Sequence, residues 1–238
     1  MTVAVFSCCI FFLAGGVQGL TGFGGALVAI PLLSLIMDVK QAVPLAILNG
    51  LVVTTTLVYT LRHLLDWRKI LPLLAGSVPG ILLGAAFLKQ ADPVVISRLL
   101  GVVLIAISLL NLRFTPKPIN PPRIWGYIAG FFSGAINATV GAGGPPAIIY
   151  TTLHNWKKDE IRATLTGFFV INGYVTAMVH AGNGIITDST LHFFALTSSF
   201  VLLGTLIGSR IGDRIPRSTY LRIIYLLLAF LGLMLLCR

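Results

Sequence analysis

The sequence predicts an all-α polytopic membrane protein built from two related halves, and three observations carry this prediction. First, 56% of the 238 residues are hydrophobic and only 10% are charged, whereas soluble domains carry about 25% charged residues. Second, the charged residues collect in short clusters between about eight long apolar segments. Third, a series of glycine and asparagine positions in the first half returns in the same order in the second. Lipid is therefore the expected solvent of the helices.

Six of the apolar segments have the length of about 20 residues that a membrane-spanning helix requires. The other two, at residues 3–37 and 123–153, are longer, and each contains a glycine-rich run. These runs occupy residues 15–25 and residues 134–146, and the second run ends in two prolines. Glycine destabilises the interior of a helix and proline ends one, so each long segment is predicted to form two shorter helices around a break.

The two halves, residues 1–115 and 116–238, match element by element. The matched features are two glycine pairs, two Asn-Gly dipeptides and two Gly-x3-Gly pairs, namely Gly24-Gly25 with Gly143-Gly144, Asn49-Gly50 with Asn172-Gly173, and Gly80/Gly84 with Gly204/Gly208. Agreement of several features in order indicates an internal duplication, which is common in transporters. The Gly-x3-Gly pairs are also typical of helices that approach each other closely in membranes.

The distribution of Lys and Arg residues tests whether the two long segments cross the membrane or turn back. If both cross, the 17 basic residues divide seven to ten between the two sides. If both are re-entrant hairpins, thirteen lie on one side and four on the other, and such an excess marks the cytoplasmic side. We therefore predict that each half is a re-entrant hairpin plus three transmembrane helices. The odd number of crossings inverts the second half and places both termini outside the cytoplasm.

Broken helices in inverted repeats bring a ligand site to the middle of the membrane, where the repeats meet. The second arm of each hairpin begins just after its break, at Gly24-Gly25 and at Gly143-Gly144. Its free N–H groups and its positive end then face the break, which is an arrangement that binds anions. Two such ends predict a site for one small anion that needs no buried Lys or Arg.

Polar side chains within the apolar segments are the other candidates for this site. Asn49 and Asn172 occupy matching positions in the repeat, and because polar groups in a bilayer core are costly, each amide is a candidate donor to an oxyanion. The alternative is that these amides join neighbouring helices by hydrogen bonds. Asn137 and Thr139 lie beside the second break, where they line the same cavity or satisfy exposed backbone groups.

Several functional classes are disfavoured. The apolar segments contain no paired carboxylates, clustered histidines or nucleophile–base pair, so neither an enzyme, a metal site nor a bound cofactor is expected. The net charge of +10 suggests a nucleic-acid partner, but the basic residues flank apolar segments as in membrane proteins, so none is expected. The four histidines lie in or near predicted loops and are expected to be interfacial or solvated, namely His63, His154, His180 and His192. No acidic residue lies within a segment as a proton relay.

The first glycine motif, GxxGFGG at residues 19–25 followed by Pro31, resembles the TauE/SafE family of membrane permeases. A looser copy of the motif at residues 134–145 extends the resemblance to the second half, and the eight segments extend it to the whole chain. The resemblance implies a bacterial-type inner membrane and a substrate among small sulfur oxyanions, such as sulfite or an organosulfonate, or related carboxylates.

The leading functional hypothesis is a multi-pass secondary transporter of the inner (plasma) membrane that exports a small anion bound between two helix N-termini. The alternatives are a passive anion channel, a carrier of a small carboxylate, and a membrane assembly factor that transports nothing. The expected partners are the anionic substrate and membrane lipid, and a homo-oligomer is compatible with the sequence.

Overall fold

A computed structural model describes residues 2–21, 24–113, 119–211 and 217–236, and these residues form ten α-helices and no strand. The helices are α1 (Thr2–Thr21), α2 (Gly25–Leu33), α3 (Val39–Leu61), α4 (Trp67–Gln90), α5 (Pro93–Arg113), α6 (Ile124–Val140), α7 (Gly144–Thr152), α8 (Lys158–Gly182), α9 (Asp188–Ile211) and α10 (Arg217–Leu236). The described part of the chain is therefore all-α, as the sequence predicts. Gly22 and Phe23 of the first glycine motif lie outside the described residues.

Both long apolar segments are divided in two where their glycine runs predict. The first break, residues 22–24, separates α1 from α2, and the second break, residues 141–143, separates α6 from α7. Gly24 and Gly141 have φ values of +91° and +67°, a left-handed conformation that glycine adopts at little cost. Pro145 and Pro146 follow at the start of α7, where the missing N–H groups would have no helical partner anyway.

Five of the described helices are long and apolar enough to cross a membrane, and these contain residues 2–20, 39–59, 67–90, 93–110 and 188–210. The first of them is α1, which the sequence assigns to a re-entrant arm. By contrast, α2 and α7 have nine residues each, which amounts to about 13.5 Å at about 1.5 Å per residue and is far short of a bilayer core. The 25-residue α8 is not among the five; its first turn is charged and its interior contains polar residues such as Asn172 and His180.

The outer surface of the helices is apolar. Met178 and Phe230 are both 64% exposed, and large side chains of this kind recur along α4, α5 and α9, for example Leu83, Val102 and Leu203. A soluble monomer rarely exposes an apolar surface this extensive. Together with helices that satisfy their own backbone groups, this surface identifies an integral membrane protein.

Two glycine-lined interfaces join the halves of the molecule. Helix α1 packs against α9 and α4 packs against α6, so each interface takes one helix from each half. A Cβ atom on Gly204 would meet the backbone of Phe12, and one on Gly80 would meet the backbone of Phe131. The prediction that the Gly-x3-Gly pairs allow close helix contact is thereby confirmed.

Three connections lie together at one end of the molecule. Between α5 and α6, the N–H of Asn120 donates to the carbonyl oxygen of Leu153 at 2.9 Å. The N–H of Asn155, in the α7–α8 connection, donates to Asn120 Oδ1, also at 2.9 Å. Lys69 Nζ in the first turn of α4 lies 3.3 Å from Glu160 Oε2 in the first turn of α8. The beginnings of α4, α6 and α8 therefore share this end.

Candidate functional site

A cavity of about 110 Å³, here named the central cavity, lies where the two breaks meet. Its wall is formed by both breaks, by the first turns of α2 and α7, and by facing positions on α3 and α8 such as Gly50 and Phe169. The described lining residues carry glycine backbone, amide side chains and apolar groups but no charged group. The cavity is small beside the roughly 300–1,000 Å³ of pockets that hold drug-sized ligands, so it suits a ligand of a few atoms.

Most of the residues predicted for the site lie in the wall of the central cavity. The predicted residues found there are Gly24, Gly25, Asn137, Gly143, Gly144 and Asn172. The structure thus brings the two glycine pairs together, although more than a hundred residues separate them in the chain. The other two predicted residues, Asn49 and Thr139, are not part of this wall.

The amide of Asn172 is buried at the cavity wall with one side unsatisfied. Its Oδ1 accepts a hydrogen bond of 3.0 Å from Asn137 Nδ2, which also donates to Thr176 Oγ1 at 3.2 Å. Asn172 is only 2% exposed, and its Nδ2 has no hydrogen-bond partner among the described residues. An unpaired buried donor costs about 1–3 kcal/mol, so this N–H group is a candidate ligand of an anion.

Asn49, at the matching position of the first half, has different contacts. Its Nδ2 donates to the carbonyl oxygen of Leu45 and to Thr197 Oγ1, both at 3.0 Å. It borders a smaller void of about 10 Å³ that adjoins the central cavity and shares part of its wall, with about the space of one water molecule. These contacts join α3 to α9 and favour the helix-joining interpretation for Asn49.

The predicted repeat does not reproduce the hydroxyl group that contacts Asn49. Thr197 on α9 precedes Gly204 by seven residues, and the residue that precedes the matching Gly80 of α4 by seven is Leu73. A leucine offers no hydroxyl group, so the partner of Asn49 has no equivalent at the matching position of α4. The repeat therefore preserves the asparagine and changes its neighbour.

Thr139 lies on the side of α6 that faces α4. Its hydroxyl donates to the carbonyl oxygens of Ala135 and Gly84 at 2.8 and 3.2 Å. The second of these bonds crosses the α4–α6 interface beside the close approach of the glycines. Thr139 thus satisfies backbone groups there, away from the central cavity.

The two short helices present unequal sets of backbone donors to the central cavity. Neither has a side-chain cap among the described residues, and first-turn N–H groups have no partner within a helix. In α2, Gly25, Ala26 and Leu27 all carry N–H groups and line the cavity. In α7, two of the first three residues are Pro145 and Pro146, which have no N–H. Both helix ends contribute positive potential, but α2 supplies more donors.

Gln18 is a cavity residue that the sequence interpretation missed. It is 7% exposed, it lines the central cavity, and a Cβ atom on Gly25 would meet its Oε1. It precedes Gly24 by six residues, just as Asn137 precedes Gly143 by six. The repeat could therefore have indicated Gln18, because Gln18 occupies the position in the first half that matches Asn137 in the second.

The arrangement is suited to binding rather than to bond chemistry. Backbone N–H groups and amides converge on a small space, and no group of His, Cys, Asp and Glu that could hold a metal ion occurs among the described residues. Five of the described helices are apolar and of spanning length, and the cavity lies among α1, α2, α3, α6, α7 and α8; broken helices that meet at a central cavity are typical of polytopic α-helical membrane transporters.

The chain belongs to the sulfite exporter TauE/SafE family, whose family model matches residues 7–235. It is 24% identical over 230 residues to a Cupriavidus necator protein described as "Probable sulfite/organosulfonate exporter TauE", an alignment that covers 90% of this chain and 86% of the relative. It is also 24% identical to the Bacillus subtilis "Probable membrane transporter protein YunE", over 95% of this chain and 93% of that protein. No solved structure matches the chain.

Proposed function

We propose that this transporter exports a small anion, such as sulfite or an organosulfonate, across the plasma membrane and binds it in the central cavity. The observation that carries the proposal is the meeting of two uncapped helix N-termini with the unpaired Asn172 Nδ2 at one cavity of about 110 Å³. Helix N-termini bind anions through their N–H groups and positive potential. The exporter name of the Cupriavidus necator relative supports the choice of sulfur oxyanions.

The same proposal places both breaks within the membrane as re-entrant hairpins. Gly25 lies against Ala14 and Gln18 of α1, and Gly143 lies against Ser133 and Asn137 of α6. Gly143 follows Ser133 by ten residues, which would separate them by about 15 Å in a straight helix. The contacts support a chain that reverses at each break, with the short helix returning along the long one.

The contacts between connections support hairpins over crossings. If α6 and α7 together crossed the membrane, the connections before α6 and after α7 would lie on opposite sides. Asn120 and Asn155, one from each connection, are instead hydrogen-bonded at 2.9 Å. Likewise Lys69 and Glu160 form an ion pair between the first turns of α4 and α8. The crossing arrangement would place these two turns on opposite sides of a bilayer core of about 30 Å.

The hairpin arrangement makes the second half an inverted copy of the first, residues 116–238 against residues 1–115. Helices α5 and α10 are counterparts in such a repeat and run in opposite directions. In agreement, Gly101 lies against Leu236, while Gly232 lies against Leu104 and Ile105, so the contacts move back along α10 as they advance along α5. The basic clusters then face the cytoplasm and both termini face outward.

The driving force for export follows from charge. The interior of a cell is negative, and each negative charge that leaves gains about 2.3 kcal/mol per 100 mV. An anion that binds without a compensating lysine or arginine would keep its charge during the crossing. A uniporter of this kind would export the anion with no acidic residue in its path.

Flux through proteoliposomes tests the proposed function. Sulfite, sulfate, thiosulfate, sulfoacetate and simple carboxylates are compared at equal concentration, with protein-free liposomes as the control. We expect saturable efflux of one or more of the sulfur oxyanions that accelerates when the interior is made negative. Preference for carboxylates would change the substrate class, and absence of all flux would contradict the transporter proposal.

Counterflow distinguishes a carrier from a passive channel in the same vesicles. A carrier alternates its single site between the two sides, so unlabelled anion on one side accelerates uptake of labelled anion from the other. A channel conducts down the gradient and shows no such exchange. We expect counterflow, because the cavity is small and offers one binding site between the two breaks.

A further inference from the structure

His180, near the end of α8, lies inside the protein, so the expectation that it is interfacial or solvated is wrong. Its side chain is 0% exposed, and its Nε2 donates to the carbonyl oxygen of Ala138 at 2.9 Å. Its Nδ1 has no hydrogen-bond partner among the described residues. A neutral imidazole that donates through Nε2 has a free lone pair on Nδ1, so His180 retains the capacity to accept a proton.

Polar residues lie along one face of α8 between the central cavity and His180. Asn172, Thr176 and His180 follow each other at intervals of four residues, which places them on one face of α8. Helix α6 runs beside this face, with Asn137 bonded to Asn172 and Thr176 and with Ala138 bonded to His180. The eight residues from Asn172 to His180 correspond to about 12 Å along the helix axis.

The surroundings of His180 contain no charge among the described residues. Ala138 belongs to an apolar cluster with Ile81, Ala85, Val179 and Ile185, which come from α4, α8 and the connection that follows α8. At the end of the molecule where α8 ends, the charged residues of neighbouring elements lie at helix ends and outside this cluster. These residues are Asp38, Lys40, Lys89 and Asp188. A proton on His180 would therefore meet the carbonyl end of α6, which favours a cation, and would lack a side-chain counter-ion.

We propose that His180 is a proton-binding site linked to the central cavity, so that the transported anion and one proton bind together. This inference rests on the proposed function, because the anion supplies the missing counter-charge. A proton from water adds to the free Nδ1 lone pair while Nε2–H continues to donate to Ala138. When the anion leaves, Nδ1 releases the proton to water, and the neutral ring is restored.

The expected size of the coupling follows from the separation of the charges. Opposite unit charges about 12 Å apart, at an effective dielectric constant of about 20, change each other's binding constant by about tenfold. Coupling of this kind is reciprocal, so the anion must favour the proton as much as the proton favours the anion. A dianion that binds with one proton keeps one net negative charge, so a negative interior still favours its export, whereas a monoanion that binds with a proton would move no charge.

The test measures anion affinity and proton uptake together in the purified full-length protein. Thiosulfate and methanesulfonate serve as probes, because anions of strong acids keep their charge between about pH 5 and about pH 8, where histidine titrates. Wild type is compared with His180→Gln, whose amide can still donate to Ala138, and with His192→Gln as the control at an exposed histidine. Proton uptake is read from a pH indicator in weakly buffered solution.

We expect wild type and His192→Gln to bind the probes more tightly at about pH 5 than at about pH 8, by a factor below the ceiling of about tenfold because burial opposes the protonated ring, with less than one proton taken up per anion. His180→Gln should bind with no pH dependence and no uptake. Equal pH dependence in His180→Gln would overturn the inference, and so would wild-type binding without proton uptake. The second result is measured on wild type alone, so it holds even if His180→Gln fails to fold. Failure of wild type to bind either probe at any pH would instead count against the proposed function and remove the basis of this inference.

Discussion

At the scale of single residues, Asn172 and Asn49 occupy matching positions of the predicted repeat but have different contacts. Both amides are nearly inaccessible, at 2% and 1% exposure. Asn49 is satisfied by Thr197 across a helix interface, whereas Asn172 Nδ2 lies at the wall of the central cavity with no partner in the described part of the chain. A free donor is available to a ligand, and a satisfied one is part of the scaffold.

Removing the two amides should therefore have different consequences. Asn172→Ala is expected to weaken anion binding by about tenfold or more, the size of a hydrogen bond to a charged group. Asn49→Ala should cost about 1 kcal/mol of stability, as interhelical hydrogen bonds in membranes do, with anion affinity unchanged. Isothermal titration and thermal unfolding of both variants separate the effects. Loss of affinity in Asn49→Ala alone would reverse the two assignments.

Two glycines of the cavity wall differ in the space around them. A methyl group added at Gly143 is therefore expected to destabilise the protein, and one added at Gly50 is not. A Cβ on Gly143 would lie 2.9 Å from the backbone nitrogen of Asn137 and would also meet the carbonyl oxygen of Ser133, whereas a Cβ on Gly50 has no described atom within 4 Å. Gly143→Ala should displace the second break and lower both stability and transport, by about 1–3 kcal/mol in stability. Gly50→Ala should unfold at the wild-type temperature. A normal melting temperature for Gly143→Ala would contradict the close approach.

At the scale of helices, the glycine-lined interfaces determine how closely the halves meet. Gly204 of α9 and Gly80 of α4 bring backbones into contact at equivalent places in the two interfaces. Membrane helices gain no hydrophobic energy by associating in lipid, so close packing of this kind is a main source of their association energy. The same glycines hold α1 and α6 in place, and α1 and α6 lead into the breaks.

Gly204→Ala is expected to destabilise the protein by about 1–3 kcal/mol, because the added methyl group has no room beside the backbone of Phe12. Gly182→Ala is the matched control, since nothing described lies within 4 Å of its Cβ and alanine favours a helix. Thermal unfolding in detergent should show a lower midpoint for the first variant and an unchanged or higher midpoint for the control. Equal midpoints would show that this interface can expand at no cost.

At the scale of the whole molecule, the position of the connections relative to the membrane is the central prediction. Re-entrant hairpins place Ile119 and Asp159 on the cytoplasmic side and Ser189 on the opposite side, and all three are exposed. Single cysteines at these positions, in a background without Cys8, Cys9 and Cys237, are to be labelled with a membrane-impermeant maleimide. The cysteine at position 189 should react in intact cells, and those at 119 and 159 only after the membrane is opened.

The labelling pattern has a distinct outcome for each arrangement. If α6 and α7 together crossed the membrane, positions 119 and 159 would lie on opposite sides, and one of them would react in intact cells. That result would contradict both the re-entrant hairpins and the inverted repeat. It would leave the membrane-transporter class and the family intact, because these depend on composition and on the match over residues 7–235.

Much of the fold could be predicted because it depends on local chemistry. Apolar composition determined that lipid is the solvent, and the glycine runs with Pro145 and Pro146 determined where two helices break. The Gly-x3-Gly pairs determined where helices approach closely, since only glycine leaves room for a neighbouring backbone. The grouping of Gly24 with Gly143 was also predictable, because the repeat and the basic residues together implied which ends meet.

Other features were decided only by the tertiary structure, because they depend on which helix faces a given side chain. Successive helix residues point about 100° apart, so a small rotation turns Thr139 toward α4 and leaves Asn137 at the cavity. Thr197 contacts Asn49 because α9 packs against α3, and this pairing of helices could not be read from the sequence. His180 is buried because α6 ends beside it, although its place near a loop in the sequence indicated water. The sequence by itself thus determined the class of this protein and the places where two helices break, and the packing of distant helices decided which buried polar groups have partners among the described residues.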